Sequence, residues 1–267
     1  MIKILFFGDI VGKIGRQGLV KAMPDLKADY NPDCIIANIE NLAHGTGATK
    51  KTLGEIQTLG IHCFTSGNHI FDKKKDLQDL IQSQNLALLR PGNYPPGVEG
   101  KGEAIIKTPG GKSILVLHLL GRVFFKETLD CPFRKADEIL GKYKDADLDA
   151  ILVDFHAEAT SEKVAFGHYL DGRATAIFGT HTHIPTADEK ITPLGTAYIS
   201  DVGMVGAKDS VIGVAKQGPI KQFLTQTPAS FEIPENGTCL VNGVIITIDE
   251  ATKKATSIKR VYQEVEV

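Results

Sequence analysis

Short, continuous apolar runs alternate with segments of helical period along the first third of the chain. Three of these runs predict buried strands, at 4–7, 34–39 and 61–65. The segments between and after them predict helices after Gly15, after Thr49 and over about 72–82. Strands that alternate with helices in this way form parallel sheets buried on both faces.

The same alternation continues through the middle of the chain and then changes. A segment rich in glycine and proline, 92–111, leads into a predicted strand at 113–118. Further strands are predicted at 150–154 and 175–179, and helices at 133–143 and 161–170. The last third predicts antiparallel strands near 196–199, 239–248 and 255–263. No linker is long enough to require a boundary, so we expect one α/β domain over 1–267 with two packed sheets.

Composition is that of an ordinary globular protein. Hydrophobic residues make up 42% and charged residues 23%, which excludes a disordered chain. The net charge of −2 leaves no positive surplus for sequence-blind binding to nucleic acid. No apolar stretch is long enough to span a membrane, and the apolar N-terminus is interpreted as a strand rather than a signal peptide. The four cysteines lack a CxxC motif and indicate reduced structural thiols, so we expect a cytoplasmic protein.

The residues whose side chains could bind a metal or take part in catalysis follow the predicted strands. They are Asp9 after the first strand, Glu40 and Asn41 after the second, Asn68 and His69 after the third, and His156, His181 and His183 after two later strands. Each of them alone has an ordinary explanation as a cap, a turn former or a satisfied histidine. Ligands of open α/β sheets bind beyond the carboxyl ends of strands, so five such strand ends together favour a functional site.

The residue types point to metal ions. Carboxylate, amide and imidazole ligands suit Mn, Fe or Zn, and the absence of thiolates argues against a structural zinc site. Seven side chains are candidate ligands: Asp9, Glu40, Asn41, Asn68, His156, His181 and His183. One ion cannot take seven protein ligands and keep an open position, whereas two ions about 3.5–4 Å apart can share them. Glu40 is the natural bridge, because it offers two oxygens and lies centrally in the set. We expect Fe or Mn, with Zn as an alternative.

An ordered set of motifs carries a family resemblance. The blocks GDIVG, ENLAHGTG, SGNHIFD, DFHAEATSEK and GTHTH resemble the calcineurin-like metallophosphoesterases. The additional blocks YLDGR and SDVGM are similar to the YmdB-type branch, which is known for 2′,3′-cyclic nucleotide phosphodiesterase activity. The resemblance extends over roughly residues 1–260. It implies a four-layer α-β-β-α sandwich of two mixed sheets flanked by helices.

The resemblance also implies roles for the candidate residues. The superfamily opens with Asp-x-His, but Val11 occupies the histidine position here and cannot bind a metal. In the YmdB-type branch an asparagine, here Asn41, takes that place. One implied ligand set is Asp9, Glu40, Asn41 and His183, and the other is Glu40, Asn68, His156 and His181. His69 would be the proton donor in a reaction started by a hydroxide that bridges the two metals.

The sequence is compatible with three hypotheses about function. The first is a phosphodiesterase that converts 2′,3′-cyclic nucleotides to 3′-nucleotides. The second is a phosphomonoesterase, such as a 5′-nucleotidase, on the same core. The third is a non-catalytic regulatory protein that binds metal and nucleotide. The expected ligand is a small nucleotide, and RNA ends are a further candidate. We also expect a homo-oligomer and no association with a membrane. Arg122 could meet phosphate, and the loop 201–204 could line the site.

Overall fold

The chain folds around two mixed β-sheets, and the computed structural model describes residues 1–73, 75–76, 80 and 86–267. The strands are, in chain order, β1 (Ile2–Phe7), β2 (Asp9–Ile10), β3 (Cys34–Asn38), β4 (Cys63–Thr65), β5 (Glu103–Lys107), β6 (Ser113–Leu120), β7 (Ala150–His156), β8 (Ala176–Thr180), β9 (Lys190–Ile191), β10 (Ala197–Ile199), β11 (Met204–Ala207), β12 (Thr238–Ile248) and β13 (Ala255–Glu266). The helices of the described residues are α1 (Gly12–Tyr30), α2 (Lys50–Gln57), α3 (Pro132–Lys142), α4 (Thr160–Tyr169) and α5 (Gln217–Thr225).

Each sheet contains a run of neighbouring parallel strands. The first sheet has the order β2-β11-β12-β1-β3-β4, with β13 paired along β12. Within it, β1, β3 and β4 are parallel, and β12 is antiparallel to β1. The second sheet has the order β5-β6-β7-β8-β10-β9, in which β6, β7, β8 and β10 are parallel. The carboxyl ends of the parallel strands therefore define one edge in each sheet.

The side chains of β1 show how the layers form. Ile4 and Phe6 point into a core between the two sheets, where the Phe6 ring stacks on Phe178 of β8 at 4.4 Å. Leu5 and Phe7 point the other way and pack with Leu19 of α1. Strand residues alternate between faces, so a strand buried on both faces must be apolar throughout. On the second sheet, a third core packs that sheet against α3 and α4. The four-layer α-β-β-α sandwich is confirmed.

Most predicted elements are confirmed within a few residues. Thr49 caps α2, because its Oγ1 accepts the N–H of Thr52 at 3.2 Å. The helix predicted over 72–82 falls largely on residues 74, 77–79 and 81–82, outside the described residues. In the part of the chain that the structure describes, no helix is both long and apolar enough to cross a membrane.

Several details of the prediction are wrong. Asp9 does not simply follow β1 but lies in β2, which pairs in parallel with β11. Strand β7 continues to His156, so this residue ends the strand rather than following it. The last third is not wholly antiparallel. The long connection after β8 brings β10 back beside β8, and the two strands pair in parallel. Strand β5 and helix α5 were not predicted, since β5 is a half-exposed edge strand and α5 lacks a buried apolar face.

Candidate metal centre

The predicted residues meet where the carboxyl ends of strands from the two sheets face each other. The first sheet brings Asp9 from β2 and Glu40 from the turn after β3. The second brings His156 from β7 and His181 after β8. Contacts cross between the sheets: the His181 N–H donates to Asp9 Oδ2 at 3.1 Å, and His156 Nε2 lies 3.9 Å from Glu40 Oε1. The site is therefore assembled by packing one sheet on the other.

Two imidazoles in this centre turn their lone pairs toward each other. His156 Nδ1 lies 2.9 Å from Thr180 Oγ1, whose hydroxyl donates to Asp154 at 2.7 Å. The proton of His156 is therefore assigned to Nδ1, and Nε2 keeps its lone pair. His181 Nε2 lies 3.1 Å from the carboxylate of Glu158, which assigns that ring's proton to Nε2. The two remaining lone pairs, on His156 Nε2 and His181 Nδ1, face one another at 3.0 Å.

A second group of acceptors converges around His183. The ring donates from Nδ1 to the carbonyl of Ile212 at 2.8 Å, so Nε2 carries the lone pair. That nitrogen lies 3.1 Å from Asn41 Oδ1 and 4.0 Å from Asp9 Oδ1. The Asn41 amide is oriented by its own donation to the carbonyl of Gly45 at 2.8 Å, so its oxygen is the atom that faces His183. Two acceptors in direct contact repel each other unless a cation lies against both.

Three buried oxygens in the same region lack a hydrogen-bond partner among the described residues: Asp9 Oδ1, Glu40 Oε2 and Asn68 Oδ1. Such a group costs about 1–3 kcal/mol when it is left without a partner, and more when it is charged. All three belong to the predicted ligands. Within the described residues no three His, Cys, Asp or Glu side chains alone form a metal-ligating group. The set that converges here instead combines imidazole and carboxylate with the asparagine oxygens. The unpaired oxygens and facing lone pairs fit metal ions.

Burial shifts the pKa values of four of these residues toward their neutral forms. Burial raises the pKa of Asp9 to about 7, against the opposing effect of His183. Burial also raises the pKa of Glu40 well above its usual value. It lowers the pKa of His181 to about 3, with His183 acting in the same direction, and it lowers the pKa of His156 strongly. His156 and His181 are thus neutral at neutral pH and able to bind a metal. The carboxyl groups of Asp9 and Glu40 ionise more readily when a cation is bound beside them.

His69 lies beside this group but is oriented differently. Its backbone N–H donates to Glu40 Oε1, so the residue is fixed at the edge of the centre. Its side chain is 35% exposed, and Nδ1 lies 2.7 Å from Asp72 Oδ2. A carboxylate on Nδ1 orients the ring. His69 is therefore placed to exchange a proton with a molecule bound at the centre. The partner Asp72 was not singled out from the sequence.

Other residues that shape the centre were also missed. Thr180 and Asp154 orient His156, as described above, and Phe125 packs its ring 4.8 Å from that of His181. Thr180 ends β8, Asp154 lies near the end of β7 and Phe125 lies in the loop after β6, and residues of these types are too common at such places to be distinguished in the sequence. Arg122 is exposed, and its backbone N–H donates to the carboxylate of Glu162 at 3.0 Å. Its predicted contact with phosphate stays a prediction.

Comparison with known proteins agrees with the motifs. Residues 5–261 match the family model described as YmdB-like protein. The chain belongs to the YmdB-like family. The 2′,3′-cyclic-nucleotide 2′-phosphodiesterase of Bacillus subtilis (strain 168) is 46% identical over 260 residues, covering 97% of this chain and 96% of that protein. The resemblance to the YmdB-type branch is thus confirmed.

Solved structures extend this likeness to the fold. The crystal structure of a novel phosphatase from Mycoplasma pneumoniae matches this chain with a TM-score of 0.91 and 36% identity. The match covers 99% of this chain and 94% of the phosphatase. A 5′-nucleotidase precursor from Thermus thermophilus matches with a TM-score of 0.58 and 13% identity, over 98% of this chain and 54% of that one. The second likeness concerns the fold alone.

Proposed function

We propose that this YmdB-like chain is a metal-dependent phosphodiesterase that hydrolyses 2′,3′-cyclic nucleotides to 3′-nucleotides. The observation that carries the proposal is the set of facing acceptors, in which His156 Nε2 meets His181 Nδ1 at 3.0 Å and His183 Nε2 meets Asn41 Oδ1 at 3.1 Å. Two such pairs, together with the unpaired carboxylate oxygens of Asp9 and Glu40, suit two cations better than one. The Bacillus subtilis relative supports the choice of substrate.

The proposed ligands divide into two sets that share Glu40. Asp9, Asn41 and His183 would hold one ion, and Asn68, His156 and His181 the other. When bound, the ions act as Lewis acids, lowering the pKa of water and stabilising charge on phosphoryl oxygens. We expect iron or manganese, because the ligands are oxygen and imidazole donors without thiolate.

The contribution of His69 is proton transfer to the leaving oxygen. Water adds a hydroxyl group to phosphorus and releases its other proton to solvent, the bond from phosphorus to the ribose 2′-oxygen breaks, and that oxygen takes a proton from His69. With Nδ1 held by Asp72 at 2.7 Å, Nε2 is the ring atom free to donate it. General acid catalysis of this kind contributes typically about 10²–10⁴-fold. The Asp72 carboxylate orients the ring for this transfer.

The experiment is hydrolysis of 2′,3′-cyclic AMP by purified protein, with the product identified by chromatography. We expect 3′-AMP rather than 2′-AMP in the presence of Mn²⁺ or Fe²⁺, loss of activity on chelation, and recovery on adding metal back. His156→Gln should abolish this activity. His62→Gln is the matched control, because His62 lies outside the centre and its Nδ1 accepts the Ile35 N–H at 3.1 Å. Full activity of rigorously metal-free protein would refute the proposal.

Two other results would redirect it. Faster turnover of p-nitrophenyl phosphate than of bis-p-nitrophenyl phosphate would indicate a phosphomonoesterase on the same centre. Binding of metal and nucleotide without turnover of either ester would indicate a regulatory protein. Action on RNA ends, a homo-oligomeric assembly, a cytoplasmic location and a single domain over 1–267 stay predictions.

A further inference from the structure

The loop that carries two of the proposed metal ligands has an unfavourable backbone. His181 has φ +102° and His183 has φ +67°, in the region that residues other than glycine rarely adopt. Such conformations are unfavourable and persist only where the surroundings hold them. The residue between them, Thr182, and the residue before them, Thr180, are the places where the surroundings act.

Asp201 holds the middle of this loop. Its Oδ2 accepts the N–H of Thr182 at 3.1 Å, and its Oδ1 accepts the N–H of Gly203 at 2.8 Å. Its backbone carbonyl accepts the N–H of Thr186 at 3.0 Å. This single residue, shortly after β10, therefore ties the histidine loop to the segment that leads into β11. The motif SDVGM, whose role the sequence left open, contains this residue.

Lys163 holds the start of the loop and Asp201 together. This residue lies in α4, and its Nζ donates to the carbonyl of Thr180 at 2.8 Å and to Asp201 Oδ2 at 2.6 Å. The side chains of Lys163 and Asp201 are only 3% and 2% exposed. A buried carboxylate without its cation would be costly, and a buried ammonium without its carboxylate would repel the nearby metal ions. As a pair they are neutral, so they fix backbone position without changing the charge of the centre.

We propose that Lys163 and Asp201 are a positioning pair that fixes the backbone of 180–182, so that His181 and His183 present their lone pairs to the metals before any metal arrives. The proposal rests on the proposed function, because it takes these histidines to be metal ligands. Partners that orient metal ligands typically contribute about 10–100-fold to metal affinity. A pair that served stability alone would change the unfolding temperature and leave the metal affinity of the folded protein unaltered.

The test measures the Mn²⁺ affinity of metal-stripped protein by calorimetry, in the absence of substrate. Lys163→Met and the double variant Lys163→Met/Asp201→Asn should bind Mn²⁺ at least about 10-fold more weakly than the wild type, and saturating Mn²⁺ should restore much of the hydrolysis. The double variant avoids a lone buried charge and so protects against misfolding. Arg90→Met is the matched control, because Arg90 is a buried cation that donates to backbone carbonyls of another loop, at Glu99, Pro91 and Val98. It should lose stability and keep its Mn²⁺ affinity.

Affinities within twofold of the wild type in folded variants would overturn the positioning role and leave the proposed function standing. Absence of binding of both Mn²⁺ and Fe²⁺ by the wild type would overturn the proposed function itself. A second measurement needs no variant. Hydrogen–deuterium exchange of the wild type should show the amide of Thr182 protected equally with and without Mn²⁺, because Asp201 already holds it. Protection that develops only with metal would show that metal, and not this pair, orders the loop.

Discussion

Gly67 lies against the candidate metal centre with no room for a side chain. A methyl group added there would lie 2.4 Å from His156 Nε2 and 2.7 Å from Glu40 Cδ. Ordinary contact begins near 3.4 Å, so the ring of His156 would have to move by about 1 Å. The φ angle of Gly67 is not in the left-handed region, so alanine is acceptable to the backbone. Gly67→Ala therefore tests the space around the two ligands and little else.

We expect Gly67→Ala to fold and to lose metal and activity together. Displacement of a catalytic centre by about 1 Å can cost on the order of 10²-fold in rate. Overpacking in a close-packed interior costs roughly 1–3 kcal/mol, which is a fall of several degrees in Tm for a chain of this size. The assay is metal content by elemental analysis, together with kcat/KM for 2′,3′-cyclic AMP at saturating Mn²⁺. Circular dichroism confirms the fold.

Gly54→Ala is the matched control for this variant. Gly54 lies in α2, and a methyl group there would meet nothing within 4 Å. Alanine in a helix interior is worth about 0.5–1 kcal/mol over glycine, so this variant should gain slightly in stability and keep its activity. If Gly67→Ala keeps its metal content and a rate within twofold of the wild type, the described packing of His156 and Glu40 around Gly67 is wrong.

Three further predictions concern individual side chains. Glu40→Gln should fold normally but lose metal and activity by several orders of magnitude, because glutamine removes the charge that lets one residue serve two cations; unchanged stoichiometry and rate would exclude Glu40 as the bridge. His69→Ala should keep its metals and lose roughly 10²–10⁴-fold in kcat for cyclic nucleotides, with a much smaller loss for p-nitrophenyl esters, whose leaving group needs no proton; an equal loss on both would assign His69 another role. Of the four thiols, only that of Cys131 should react quickly with Ellman's reagent in the native protein. The other three are buried, and burial raises their pKa, so that little thiolate is present at about pH 8. Rapid reaction of two or more thiols in the native protein would contradict this.

The sequence alone predicted the layered α/β architecture because its strands are apolar on both faces. Over residues 4–7 of β1, successive side chains face two different cores and all four are hydrophobic, so the run needs no tertiary information to be recognised. The eight candidate site residues were found for a related reason. Polar side chains at the ends of such strands stand out against the apolar runs that precede them.

Elements with weak local patterns were decided only by the tertiary structure. The pairing of β2 with β11 links residues almost two hundred positions apart, and nothing in the sequence of either strand requires it. The same holds for β10, whose parallel register with β8 depends on how the long connection between them packs. Such pairings are set by the global arrangement of the sheets and leave no periodic signal in the chain.

The finer structure of the site shows the same division. The identity of His181 and His183 as candidate ligands is a matter of residue type and spacing, which the sequence contains. Their protonation and direction depend on Glu158, on the Ile212 carbonyl and on the Asp201 carboxylate that holds Thr182. These partners come from distant parts of the chain and act through single hydrogen bonds, whose geometry exists only after both sheets have packed. The sequence therefore determined which groups can do chemistry, and the tertiary structure decided where their lone pairs point, because direction is a property of the folded contacts rather than of the residues.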